Sequence, residues 1–127
     1  MHILYLSYYY SHDLEDARSL LDRYDPMVQW CSAIRRAGAD KVSVAQRFRI
    51  SGQLEKDGVH YYFVPDGYGG KLDWWQNPVS THQLVVRLQP DIIHCNGWVF
   101  PLVWLRPMLS SQTTILWQHH GGTLPPW

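Results

Sequence analysis

A chain of 127 residues holds one α/β domain, since two independent cores would each fall below the usual domain size. Eleven Lys and Arg balance eleven Asp and Glu, so no global field draws the chain to nucleic acid or anionic lipid. Cys31 and Cys95 lack the spacing of a zinc site or disulfide framework, and no signal peptide or bilayer-length apolar run occurs, which points to the reducing cytoplasm.

Residues 2–7 are a short apolar run bounded by polar residues and predict a buried strand at the N-terminus. Ser11 or Asp13 can then cap a short helix carrying Leu14, Ala17, Leu20 and Leu21 on one side. Asp25-Pro26 starts a longer helix that runs to about Ala37, with Met27, Trp30, Cys31 and Ile34 facing a sheet and Gly38 as its left-handed stop. Residues 41–48 alternate, Val42, Val44 and Phe48 against Ser43 and Arg47, and read as a second strand. Residues 58–64 are a third, closed by Pro65-Asp66-Gly67, and a loop rich in glycine and tryptophan follows to Pro78.

Pro78 opens another helix, with Val79, Leu84, Val85 and Leu88 inward, that ends before Gln89-Pro90 because the residue before proline avoids helical geometry. Residues 91–95 are a fourth strand, and residues 100–110 a helix in which Pro107 predicts an early end or a kink. Residues 113–118 form a fifth strand. The alternation predicts a doubly wound, Rossmann-like α/β domain with a mainly parallel sheet of about five strands, covered on both faces. The ligand crevice of such a sheet lies beyond the carboxyl ends of its strands, here after strands one, four and five. The group Arg35, Arg36, Arg47 and Arg49 reads as solvated surface and does not argue for a membrane surface.

Strand four breaks abruptly from Ile92 and Ile93 into His94, Cys95, Asn96 and Gly97. Strand five ends in His119 and His120 before Gly121 and Gly122, which let backbone amides approach a ligand closely. A lone strand-end histidine is as readily satisfied by backbone bonds; two polar tips at one crevice favour a binding site. His94, Cys95, His119 and His120 lack close ligand spacing and a carboxylate, so no metal is expected. The absence of a Walker A loop, of G-x-G-x-x-G after strand one and of G-x-S-x-G disfavours nucleotide-triphosphate, NAD and serine-hydrolase chemistry, and no cofactor is expected. Aromatic residues make up 14% of the chain; such rings fill cores and rims or serve as flat platforms for sugars.

MHILYLSYYY, AIRRAGADKVSV, GVHYYFVPD, QPDIIHCNGW and ILWQHHGG, in this order and spacing, resemble the N-terminal domain of family-four GT-B glycosyltransferases, the glycosyl transferase 4-like domain, over nearly the whole chain. The resemblance implies retaining transfer of a sugar from a nucleotide sugar to an acceptor held mainly by this domain. It implies His120 as the catalytic histidine near the transferred sugar, and His94, Asn96 and Gly97 as the strand-four tip lining the interdomain cleft, with His119, Gly121 and Gly122 beside them. A retaining transfer builds positive charge on the sugar ring while a phosphate leaves, so a neutral donor and amide dipoles, here His120 and Gly121, are suited to it.

Two departures accompany the likeness. The family commonly places a glycine pair after strand one, where this chain has Tyr10, Ser11, His12 and Asp13 and an added helix, so binding by Tyr10 and Ser11 would take a different form. The family's second domain binds most of the nucleotide sugar and carries paired glutamates, and residues 1–127 end before it. The chain is therefore expected to be an incomplete acceptor-side half, inactive alone and lacking the last strands of its own domain. The alternative is a noncatalytic module that recognises a carbohydrate, a nucleotide or a companion chain.

Overall fold

The computed structural model describes residues 1–11, 13–96 and 100–118. At its centre lies β1 (His2–Ser7), flanked in parallel by β2 (Lys41–Arg47) and β5 (Ile92–Asn96). β4 (Val59–Val64) pairs in parallel with β2, and β6 (Thr114–Gln118) in parallel with β5. β3 (Gly52–Lys56) adds an antiparallel edge, giving the order β3-β4-β2-β1-β5-β6. The inner strands are buried on both sides: β1 therefore reads as an apolar run, whereas β2 alternates in sequence yet buries its polar Ser43, Gln46 and Arg47 as well.

The fold class is the doubly wound α/β arrangement expected, with one strand more. β3 is polar and exposed, GQLEK, and carries no hydrophobic period. Its signal is Asp57-Gly58: both residues have positive φ, 53° and 78°, the backbone of a two-residue hairpin that matches strand twist. A Cβ at Gly58 would also stand 3.2 Å from Arg35 Cγ, so glycine serves both conformation and packing there.

Helices α1 (Ala17–Arg23) and α2 (Asp25–Arg36) cover one face of the sheet, over Tyr5, Val42, Val44, Val59 and Tyr61. Helices α3 (Val79–Leu88) and α4 (Leu102–Leu105) cover the other, over Leu4, Leu6, Ala45, Ile93 and Cys95. Pro107 does end α4 early, and Arg106–Met108 tightens into a 3-10 turn. The cap of α1 is neither Ser11 nor Asp13 but Asp16, whose carboxylate accepts from the Ser19 amide at 2.8 Å. Two helical faces are also rotated from expectation. Val28 and Ser32 are buried in α2 while Trp30 is 36% exposed, and Thr81 and His82 are buried in α3 while Val79 is exposed. No helix among the described residues is long and apolar enough to cross a membrane.

Arg47 is the main correction to the surface reading: its side chain is fully buried. All of its N–H donors find acceptors. Nε and Nη2 bond the two carboxylate oxygens of Asp66 at 2.5 and 3.1 Å, Nη1 bonds the carbonyls of Tyr8 and Gly70, and Nη2 also bonds that of Tyr68. Asp66 further accepts from the Tyr68 amide and the Thr81 hydroxyl. The guanidinium thus pins the loop after β1 and the loop after β4 to the end of β2.

Removing one member of a buried ion pair leaves the other charge without compensation. Arg47→Met is expected to lower unfolding stability by about 3–5 kcal/mol, and Arg47→Lys to recover little, because an ammonium cannot span the same acceptors. Urea unfolding checks this; a loss below about 1 kcal/mol would show that the pair contributes no more than a surface contact.

Candidate functional site

The chain leaves β1 toward α1, α2 and β2 on one side and returns through α3 to β5 on the other, so the sheet's switch point lies between β1 and β5. Loops part there, and a crevice opens at the carboxyl ends. In register, Ser7, Asn96 and Gln118 are neighbours at that rim, with Tyr5, His94 and Leu116 two residues back. Strand alternation puts all six on one face, while Leu6 and Cys95 point into the opposite core. Burial pushes the Cys95 thiol up to about 12, so it remains a protonated core residue rather than a neighbour of His94.

A cavity of about 490 Å³ occupies this rim. Tyr5, Ser7, Tyr9, His94, Asn96 and Gln118 line it from the sheet side, and Arg23, Tyr24, Met27 and Trp30 from α1, α2 and their junction. His94 is 8% exposed, with Nε2 at 2.9 Å from Gln118 Oε1. Its ring stacks on the Trp30 indole at 4.7 Å and meets the Tyr5 ring at 5.1 Å. That stack explains the position of Trp30 at the edge of α2, half out of the core. Burial pushes the Tyr5 hydroxyl up to about 12, against a hydrogen bond from Asn96, so it stays protonated. The Asn96 Oδ1 is buried and has no partner among the described residues.

A smaller cavity of about 200 Å³ adjoins on the side of the loops after β4 and β5, lined by Tyr8, Tyr9, Tyr10, Lys71, Leu72, Phe100 and Pro101. Tyr9 and Asn96 line both. Beneath it, the Tyr8 hydroxyl lies 2.7 Å from His82 Nε2, and His82 Nδ1 lies 2.8 Å from Asn77 Oδ1. An amide oxygen only accepts, so Nδ1 carries the proton and Nε2 accepts from Tyr8. His82 is neutral, with burial holding its pKa down to about 4, partly opposed by Asp66.

Of the residues singled out in the sequence, His94 and Asn96 face the larger cavity, and Tyr10 lines the smaller, its ring 5.3 Å from the Arg47 guanidinium carbon. Ser11 lines neither; its hydroxyl sits 2.7 Å from the Tyr24 hydroxyl and fastens the loop to the α1–α2 junction. Gly97, His119, His120, Gly121 and Gly122 lie outside the described residues. Tyr5, Tyr9, Trp30 and Gln118 were not foreseen. Period-two spacing back from Asn96 and across the parallel register finds Gln118, whereas Trp30 required the packing of α2.

No family model and no solved structure matches the chain. The glycogen synthases of Geobacillus thermodenitrificans and Geobacillus stearothermophilus are each 27% identical over 99 residues, covering 65% of this chain and 20% of theirs. The glycogen synthase of Clostridium novyi is 26% identical over 114 residues, covering 76% of this chain and 23% of its own. The chain spans about a fifth of the length of these relatives. Together with the fold, the likeness supports a glycosyltransferase relationship.

The neutral His82 has a measurable consequence. Its folded pKa lies below the unfolded 6.5, so between these values the unfolded chain takes up a proton that the fold refuses. Stability is complete above about pH 6.5 and is lost as pH falls toward 4, by on the order of 3 kcal/mol. The lowered pKa of His2, caused first by burial, acts in the same direction. Urea midpoints measured from pH 7 to 4 are expected to fall, and to fall less steeply in His82→Gln; an equal slope in the variant would contradict the assignment.

Proposed function

We propose that residues 1–127 form the acceptor-side, Rossmann-like domain of a family-four-like glycosyltransferase. It acts in retaining transfer of a sugar from a nucleotide sugar to a carbohydrate acceptor. The carrying observation is the convergence of His94, Asn96 and Gln118 with Trp30 and Tyr9 on one cavity at the sheet's switch point. A sugar presents an apolar C–H face and a belt of neutral hydroxyls. The cavity offers aromatic faces together with amide, hydroxyl and imidazole groups, and no carboxylate lines it among the described residues. The name of the relatives, glycogen synthase, makes a glucan the acceptor to try first.

In this reading the acceptor lies along Asn96 and Trp30, with Tyr10 at the outer rim. The family resemblance assigns His120 to the charge that develops on the transferred sugar and the Gly121 amide to the departing phosphate. Turnover requires a donor-binding domain outside residues 1–127, and the whole works in the cytoplasm, where Cys31 and Cys95 stay reduced.

Nuclear magnetic resonance of the chain with maltoheptaose at millimolar concentration tests the acceptor-side assignment. The side-chain amides of Asn96 and Gln118 and the Trp30 indole are expected to shift, and Asn96→Ala to weaken binding about tenfold through the loss of buried hydrogen bonds. Silence of these groups toward the sugar, with a response to a nucleoside diphosphate instead, would overturn it.

A further inference from the structure

The loop between β4 and α3 holds a feature that the cleft does not explain. Asp73, Trp74, Trp75 and Gln76 form a doubly clasped turn. The Gln76 amide donates to the Asp73 carbonyl at 3.0 Å, and the Asp73 amide donates to the Gln76 side-chain oxygen at 2.8 Å. The two corner positions carry Trp74 and Trp75, which are 79% and 57% exposed. Adjacent indoles held in water by a closed turn forgo burial that two such rings ordinarily obtain, and exposed apolar surface of this kind marks a contact site.

The turn also stands on fixed ground. Before it, Arg47 holds the carbonyls of Tyr68 and Gly70, and Leu72 is buried. After it, Asn77 is bonded to the buried His82. Lys71 and Leu72 line the smaller cavity, which shares Asn96 and Tyr9 with the larger one, so the turn continues directly from the wall of the cleft.

We propose that Trp74 and Trp75 form a stacking platform for a neutral oligosaccharide, an outer subsite that holds the acceptor chain beyond the cleft; this rests on the function proposed above. Rigid flat rings bind the C–H faces of successive sugar units at low entropic cost, and the flanking Asp73 and Gln76 supply hydrogen-bonding groups for hydroxyls. The charged residues of segment 67–78 are Lys71 and Asp73, of opposite sign, which provides no attraction for an anionic lipid surface or nucleic acid. A docking protein would ask for a wider apolar patch, whereas in sequence the indoles are flanked by Asp73, Gln76 and Asn77, and Leu72 beside them is buried.

Titration of the chain with maltose and with maltoheptaose, followed through its tryptophan indole and asparagine side-chain signals, tests this. The longer sugar is expected to bind more tightly than the shorter. Trp74→Ala and Trp75→Ala, both at exposed positions that leave folding intact, are each expected to weaken maltoheptaose about tenfold and to leave the maltose response at Asn96 and Trp30 unchanged. Unchanged maltoheptaose affinity in both variants, with Asn96 still responding, would overturn the platform and leave the cleft assignment standing. Silence at Asn96 and Trp30 toward both sugars would remove the cleft assignment, and with it the outer subsite, even if Trp74 and Trp75 respond. Broadening of the Trp74 and Trp75 signals by phosphatidylglycerol vesicles, without a sugar response, would make the turn a membrane contact and overturn the proposal.

Discussion

A guanidinium buried at the end of β2 decides where the loops of the sheet's carboxyl rim can lie. Arg47 is tolerated in the interior only because Asp66 neutralises it and the carbonyls of Tyr8, Tyr68 and Gly70 take its remaining donors. Those carbonyls belong to the loops after β1 and β4, and Gln46 of β2 adds a further bond to the Tyr9 carbonyl of the first. Fixing them sets Tyr8, Tyr9 and Tyr10 on one wall of the rim and Lys71 and Leu72 on another. The cost of leaving any of these partners unpaired makes the arrangement close to all-or-none, which suits a site that must exist before its ligand arrives.

The crevice follows from topology and from the unequal reach of the helices. α1 and α2 cover β4, β2 and β1, and α2 ends its coverage at Trp30, whose ring lies against His94 of β5. Beyond it the same face of β5 and β6 turns Asn96 and Gln118 toward the cavity. β6 leaves Leu116 and Trp117 exposed at 51% and 42%, so the outer edge of the sheet is far less covered than its centre. The His82 pair with Tyr8 and Asn77 supports the floor of the smaller cavity from below, tying α3 to the loop after β1. Sheet, helix and buried polar contacts therefore converge on Asn96 and Tyr9, the two residues common to both cavities.

Much of this was legible in the chain, for identifiable reasons. β1 reads directly because a strand buried on both faces is an unbroken apolar run, and α2 and α3 because Asp25-Pro26 and Pro78 punctuate their starts. β3 escaped because an exposed edge strand has no hydrophobic period, and only the Asp57-Gly58 turn betrays it. Arg47 escaped because its partner, Asp66, is nineteen residues away, in the loop after β4. In the site, the abrupt change from Ile93 to His94 and Asn96 was visible, whereas Ser11 spends its hydroxyl on Tyr24 and Trp30 enters only through its stacking on His94, a contact between α2 and β5. Burial at Cys95 and exposure at Trp74 likewise depend on which face a neighbour covers, which local pattern does not encode.

The central claim is that a carbohydrate occupies the crevice between Ser7, Asn96 and Gln118. A crystal structure of the chain grown with a neutral oligosaccharide tests it most directly. A sugar ring lying within hydrogen-bonding distance of the Asn96 side chain and against Trp30 or Tyr9 is the expected result. An ordered sugar elsewhere on the surface, with water alone in the crevice, would contradict it.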